Sequence, residues 1–508
     1  MSSIAIFDAH WSTRGGGERH ALMIAQSAIA HGHDVTLLSQ YPISVTKLEA
    51  HLGLNLSGVT YELLGPLDEH VVEASTRFDV FVNATYRSKL QPAAKKNVYV
   101  CFFPTPEMVN LSPWKVWLHS RALKYLEQHP TLSLGNGWHA PEKHLHQTWQ
   151  WSTGDGEILI HSNAEQPVVL SLELGRIGQV EPYALTLNDS HGTVVYEGIH
   201  GPQRERITLS VGPQTHRIHV RTESFRVGGD QRNLGVSLFD MRTVPSSAIV
   251  RSVSKHVSWL MPEPSTWLHA YDLILANSQF TQEWISRLWS RDSAILYPPV
   301  DVTSSTHEHQ KEKIILSVGR FMAPGTGHCK HQLEMVKTFA QMHQRGLVQG
   351  WKLVIIGGLE PSHQDYFDDV LSASYRYPIE VIPNAPRSVV DDHLSKASIF
   401  WSATGFGDSE HTEPWNQEHF GITTVEAMAT GCVPVVIDKA GQKEIINPGV
   451  DGALWEQRSD WIAKTVSLIQ NPEQLKRIAA SAIVTAQQYS DEAFTRRWDE
   501  LCRMHALL

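Results

Sequence analysis

Glu418-His419-Phe420-Gly421-Ile422-Thr423-Thr424-Val425-Glu426 lies near the C-terminal end of the chain, and the fold is read outward from it. Ahead of it, Ser402 to Gln417 is rich in Gly, Asp, Glu and Thr, the composition of a loop. Behind it, apolar residues at helical spacing continue to about Thr430. A loop running into a helix leaves unpaired amides at the helix N-terminus, and with the helix dipole these suit the pyrophosphate of a nucleotide. Gly421 allows close backbone approach to such a ligand. Glu418 lies at the mouth of this feature and Glu426 about one turn inside the helix, so the two carboxylates address different parts of one ligand. One is suited to sugar hydroxyls, the other to ribose hydroxyls. A bare pair of glutamates at this spacing is more often a solvated helix face, so the weight rests on the whole run.

The flanking sequence repeats one grammar. Ile314–Val318, Leu353–Ile356, Ile399–Trp401 and Val433–Ile437 are short apolar runs separated by helical stretches, the pattern of strands buried on both faces of a parallel sheet. The N-terminal region reads the same way, with strand Ser3–Phe7, the loop Thr13-Arg14-Gly15-Gly16-Gly17, helix Glu18–Ala30 closed by Gly32, and strand Asp34–Ser39. Strands Val80–Asn83 and Val98–Phe103 follow. The prolines of Tyr297-Pro298-Pro299-Val300-Asp301 oppose helix and make a stiff extended connection, which places a boundary near residue 302. Open parallel sheets bind ligands beyond their strand C-termini, so two such units are expected to share a cleft.

Between Leu132 and Val244 helical periodicity disappears. Closely spaced alternating runs at Glu157–His161, Val168–Leu172, Tyr183–Leu187, Arg206–Leu209, Arg217–Val220 and Gly235–Phe239 predict an all-β sandwich or jelly roll. It interrupts the first α/β unit, because that grammar resumes at Asp272–Ala276 and at a helix Gln279–Trp289 that Ser278 can cap. Its Trp149, Trp151, Tyr183 and Tyr196 suit stacking on sugar rings or a core, and the core is the commoner use. The predicted organisation is 1–131 and 245–302 for the N-terminal unit and linker, 132–244 for the insert, and 303–489 for the C-terminal unit. Residues 490–508 form a last helix with Phe494, Trp498 and Leu501 on one face.

Strand Ile314–Val318 delivers Gly319-Arg320 and, after a loop holding Pro324, Gly325 and Gly327, Lys330. Two cations there can neutralise a diphosphate and the charge that grows on a leaving group. The run from His419 to Val436, with Ala427-Met428-Ala429-Thr430-Gly431-Cys432 inside it, resembles the family-four retaining glycosyltransferases of the "glycosyl transferases group 1" type. The resemblance covers most of the chain outside the β segment. It implies a GT-B fold of two Rossmann-like domains and retaining, metal-independent transfer from a nucleotide diphosphate sugar to a glycan, lipid-linked or other hydroxyl acceptor. No cofactor is implied; the sugar nucleotide is a co-substrate. Carried over residue by residue, Glu418, Arg320 and Lys330 take catalytic roles. Gly16, Gly17, Gly319, Phe420, Gly421, Ile422, Thr423, Val425 and Glu426 take donor-binding roles. Many relatives carry a histidine after an N-terminal-unit strand, but Val98-Tyr99-Val100-Cys101-Phe102-Phe103-Pro104 has none, so no catalytic histidine is assigned. His10 on the first loop is more simply a structural or surface residue.

Composition narrows the field. A 508-residue chain with 42% hydrophobic residues needs several cores, and 53 acidic against 43 basic residues leave no basic field for nucleic acid. Four scattered cysteines and 28 histidines without ligand spacing, including the run His139 to His146, predict reduced thiols and no metal site. The N-terminus lacks a signal-peptide pattern and no stretch is apolar enough to span a bilayer, which predicts a cytoplasmic protein. A lipid-linked acceptor would bring it to the inner face of a membrane as a peripheral protein. The competing readings are a catalytically inactive glycan-binding relative and a sugar-nucleotide epimerase or sugar phosphorylase of the same fold.

Overall fold

Ile4-Ala5-Ile6-Phe7 is buried on both faces, as befits a strand in the middle of a covered sheet. The computed structural model describes residues 1–13, 15–105, 131–139, 141–144, 147–161, 167–177, 179–189, 192–212, 215, 217–226, 232–244, 266–302, 310–325 and 327–508. Arg14 and His146 of the sequence expectations lie outside these. Seven strands stand in the order Ala294–Ile295, Leu273–Ala276, Lys96–Cys101, Val80–Asn83, Ser3–Phe7, Asp34–Ser39, Thr60–Leu63. All are parallel. A second sheet has six parallel strands, in the order Ile379–Pro383, Lys352–Gly357, Glu312–Val318, Ala397–Ser402, Val433–Ile437, Ala453–Trp455. In both sheets the first strand lies between the second and the fourth. Winding therefore reverses there, and the chains leaving those two strands part to open a crevice.

Both sheets belong to one compact unit, Met1–Thr105 with Thr266–Ile285 and Asp292–Leu508, and the other unit is Pro106–Ser265 with Ser286–Arg291. The C-terminal helix Asp491–Met504 ties the first unit together. Ser490 caps it by accepting from the Ala493 amide at 3.2 Å. Its buried face of Phe494, Trp498, Leu501 and Cys502 joins the core of the N-terminal sheet with Ile4, Ile6, Leu22 and Ile24. Arg19 fixes the crossing with a two-pronged pair to Asp491 at 2.9 and 2.8 Å and a bond to the Pro299 carbonyl at 2.7 Å. Beside it, His20 is buried between the rings of Phe102 and Phe494, with neither nitrogen hydrogen-bonded among the described residues, and burial lowers its pKa to about 3.

The other unit is built of two antiparallel sheets of five strands each. Leu170, Leu172, Ile207 and Leu209 from one sheet and Ile158, Leu185, Leu187 and Ile218 from the other make a single apolar cluster. The alternate positions carry charge, as in the Arg206 to Asp240 pair at 2.9 Å and the Arg217 to Glu157 pair at 3.2 Å. Trp151 and Tyr183 are buried, so they are core side chains rather than platforms for sugar rings.

Most expected elements are present with end shifts. The helix expected from Glu18 starts at Gly16, and the strand expected at Val98–Phe103 runs Lys96–Cys101. That shift frees Phe102 and Phe103 from the sheet. Strands Thr131–Leu134, Glu142–His144, Gln147–Trp151 and Val194–His200 were not expected. Val194–His200 is an edge strand whose apolar Val194 and Ile199 are exposed, so it lacks the alternation that marks a half-buried strand.

Candidate active site

Where Glu312–Val318 and Ala397–Ser402 part, the chain leaving each supplies one half of an ion pair. Lys330 Nζ stands 2.5 Å from Glu418 Oε2. The lysine stem lies against Gly319, where a Cβ would sit 2.8 Å from its Cγ, so glycine there makes room for the cation. Thr404 donates its hydroxyl to the same carboxylate oxygen at 3.2 Å. Burial alone would push the Glu418 carboxyl up, but Lys330, His328 and Thr404 outweigh it and hold the group below its ordinary value. Glu418 therefore stays ionised as an acceptor.

Three residues past Glu418 the chain turns into a helix. Gly421 adopts φ 118°, a left-handed conformation that suits glycine, and starts Ile422–Ala429. Behind it the fully buried Gln442 would lie 2.9 Å from a Cβ at 421. The first-turn amides of this helix open toward the crevice end of the sheet. Further in, Glu426 Oε1 accepts from Arg387 Nη1 at 2.7 Å. Burial raises the Glu426 pKa, and Arg387 opposes that rise.

The matching end of the N-terminal sheet is built from contact rather than charge. A Cβ on Gly16 would come within 2.5 Å of Ile422 Cδ1, and one on Gly17 within 3.3 Å of the Phe102 ring. The glycine loop and the Ile422–Ala429 helix thus touch. Phe103 stacks on His419 with centroids 4.0 Å apart and planes 8° from parallel, while His328 meets His419 edge-on at 4.7 Å. Burial drives the His419 pKa well below its ordinary value, so this ring is neutral. Asp8, at the end of Ser3–Phe7, is buried and its pKa is raised to about 8. Glu444 reaches across to accept the amides of Gln279 and Phe280, both at 2.7 Å, at the start of Gln279–Trp289. Ser278 caps the same helix by accepting from Thr281 at 3.0 Å.

Of the residues singled out in the sequence, Glu418, Lys330, Gly319, Gly421, Ile422, Glu426 and Gly16 come together around this crevice. Gly17 abuts Phe102 beside it. Arg320 is exposed, and its backbone carbonyl accepts from Gln332 at 2.9 Å. Thr423 is partly exposed in the first helical turn, whereas Val425 is buried in the core. Phe420 is also buried, packed on Tyr297 and Tyr489, so its ring shapes the turn from behind. His10 is exposed. Thr404, His328, Phe103, Arg387 and Glu444 were missed. Among the described residues no cluster of His, Cys, Asp or Glu is placed to hold a metal ion, and no helix is long and apolar enough to cross a membrane.

Two parallel sheets with paired switch points, meeting across a crevice, define the GT-B class of fold. Solved structures agree: an Anabaena protein, Alr3699/HepE in complex with UDP, has a TM-score of 0.54 at 11% identity, covering 99% of this chain and 100% of its own. Sucrose-phosphate synthase from Thermosynechococcus elongatus has a TM-score of 0.53 at 12% identity, with 99% of each chain covered. More particularly, residues 303–484 match the family described as Glycosyl transferases group 1. The Xenopus laevis GDP-Man:Man(3)GlcNAc(2)-PP-Dol alpha-1,2-mannosyltransferase is 29% identical over 247 residues, 44% of this chain and 46% of that protein. The human alpha-1,3/1,6-mannosyltransferase ALG2 is 26% identical over 262 residues, 46% of this chain and 60% of that protein. The chain spans about half the length of the curated mannosyltransferases it matches.

Proposed function

We propose that this protein is a retaining glycosyltransferase that moves a hexose from a nucleoside diphosphate sugar to a hydroxyl of a glycan or lipid-linked acceptor. The observation that carries the reading is the Lys330 to Glu418 pair set at the mouth of the Ile422–Ala429 helix, with Glu426 inside it and the Gly16 loop against it. The helix amides and Lys330 suit the diphosphate, and Arg320 extends the cationic rim. Glu418 suits the hydroxyls of the transferred sugar. Glu426, about one turn inside the helix, suits the ribose diol. Relatives that use GDP-mannose and lipid-linked acceptors support a mannosyl donor and an acceptor presented at a membrane surface.

In the proposed reaction the acceptor hydroxyl attacks C1 of the sugar from the face the diphosphate leaves. The C1 to phosphate-oxygen bond breaks, its electron pair stays on the diphosphate, and an oxygen of that diphosphate takes the hydroxyl proton. Lys330 and Arg320 stabilise the growing negative charge, so the protein's own cations fill the role a divalent metal would otherwise take. Glu418 and Glu426 flank a phosphate site rather than a glycosidic bond, which separates this arrangement from a two-carboxylate hydrolase. We read the two antiparallel sheets as a β-sandwich inserted at 132–244 into an N-terminal unit of 1–131 and 245–302, followed by a C-terminal unit of 303–489 and the helix region 490–508.

The test is product analysis by NMR after incubation with GDP-mannose or UDP-glucose, a glycan or lipid-linked acceptor, and EDTA. A new glycoside with the donor's anomeric configuration is expected. Inverted product, an epimerised nucleotide sugar, or a sugar 1-phosphate formed with inorganic phosphate would each replace this reading with a different reaction.

A further inference from the structure

Arg387 belongs to no motif in the sequence, yet its side chain is held from several directions. The loop before it is fixed by Asn384, at φ 53°, which accepts from the Leu359 amide at 2.8 Å and donates to the Leu359 carbonyl at 3.2 Å. Asp391, one turn along Arg387–Lys396, accepts Arg387 Nε at 2.8 Å. Nη1 then reaches Glu426 Oε1 at 2.7 Å. A guanidinium held at two nitrogens has little freedom left, so it fixes the plane of the carboxylate it binds. Among the described residues no hydrogen bond reaches the other oxygen, Oε2. The arginine side chain is 52% exposed and the glutamate 13%, so the pair lies at the rim of the crevice.

We propose that Arg387 is a positioning residue for the nucleoside end of the donor: by occupying Glu426 Oε1 it presents Oε2 to the ribose hydroxyls. The inference rests on the functional reading given above and adds to it a chain of support, Asp391 to Arg387 to Glu426, that lies outside the paired-glutamate motif. The charged groups acting on Glu426 are Arg387 and Asp391 from one helix and Arg19 from Gly16–Ala30. Without Arg387 the buried carboxylate keeps Asp391 as a repulsive neighbour and favours its protonated form, which accepts a hydroxyl poorly.

The experiment is calorimetric binding of GDP and UDP, and of their 2′,3′-dideoxy counterparts, to the full chain. In the wild type, removing the ribose hydroxyls should cost about tenfold in affinity, one charge-assisted hydrogen bond. Arg387→Met should lose about tenfold for the ribonucleotide and then show almost no further loss for the dideoxy form. Arg387→Lys, which keeps a point charge but not the fork, should fall between the two and serves if Arg387→Met does not fold. Equal weakening of both ligands by these variants would assign Arg387 to the phosphates or the fold and overturn the inference. Wild type that binds nucleotide without regard to the ribose hydroxyls would overturn it while leaving the proposed reaction standing. Wild type that binds neither nucleotide would overturn both.

Discussion

The two sheets share a strand order, a switch point and a glycine-rich loop beside it, yet the two crevice edges are made of different chemistry. On the C-terminal side the side chains are charged and paired, Lys330 with Glu418 and Arg387 with Glu426. On the N-terminal side the carboxyl just past the first strand, Asp8, has a pKa raised to about 8 by burial, with Glu18 adding to the rise, while Gly16 packs on Ile422 and Gly17 on Phe102. Topology makes a place for a ligand twice, and the side chains decide which place holds the charged end. In the proposed reaction the C-terminal edge takes the diphosphate. The N-terminal edge is fitted to close packing and exclusion of water, which strengthens every charge interaction across from it.

The contrast can be broken most sharply at Glu418. Glu418→Gln should lower kcat for transfer by about 10²–10³-fold, about 3–4 kcal/mol, as loss of a preorganised electrostatic contact does. Lys330→Met should cost a similar amount, and the double variant little more than either, because the two act as a unit. If Asp8→Asn cost as much as Glu418→Gln in the same turnover assay, the two edges would not differ in role.

A smaller effect is expected where the edges touch. Gly16→Val places a side chain on Ile422 Cδ1, 2.5 Å from the first added atom. Steady-state kcat/KM should fall about 10–100-fold, about 1–3 kcal/mol of overpacking, and Ile422→Ala in the same chain should recover most of it. Failure of the second change to rescue would show that the loop acts alone and not against the helix.

A further contrast separates the two carboxyls by pH. The folded-state pKa of Asp8, about 8, is above its ordinary value of 3.8, so the stability it lends is full at low pH and is lost as pH rises between those values. Asp8→Asn should therefore gain on wild type in chemical-denaturation stability by about 1 kcal/mol per pH unit from about pH 4 to 8. Glu418 is held below its ordinary value, so Glu418→Gln should show no gain of that sign over the same range. Parallel curves for the two variants would remove the electrostatic side of the contrast.

Much of this was legible in the sequence because it is local. The run from Glu418 to Glu426, the glycines at 16 and 319, and the apolar strand runs each carry their meaning within a few residues. Lys330 was legible in identity, though its partner was not. Arg387 and Thr404 were not legible, since an arginine at a helix start and a threonine in a loop have no pattern until the strand order brings them to Glu426 and Glu418. Phe103 reads as strand because its apolar run continues past Cys101, and only the register with Leu273–Ala276 shows where pairing stops. The sequence puts Phe420 among the donor-binding residues, whereas the structure buries its ring against Tyr297 and Tyr489. Tertiary packing decided each of these, and packing is not written in spacing.

The last helix bears on how the chain is made. Phe494, Trp498 and Leu501 complete a core whose other walls, Ile4, Ile6, Leu22 and Ile24, are synthesised more than 450 residues earlier. Until that segment emerges, the apolar face that helix Gly16–Ala30 turns toward it stays uncovered. Synthesis runs at about 5–20 residues per second, so that face waits tens of seconds for its cover. A chain stopped short of Asp491 keeps it exposed, which gives a chaperone or protease an apolar patch to recognise.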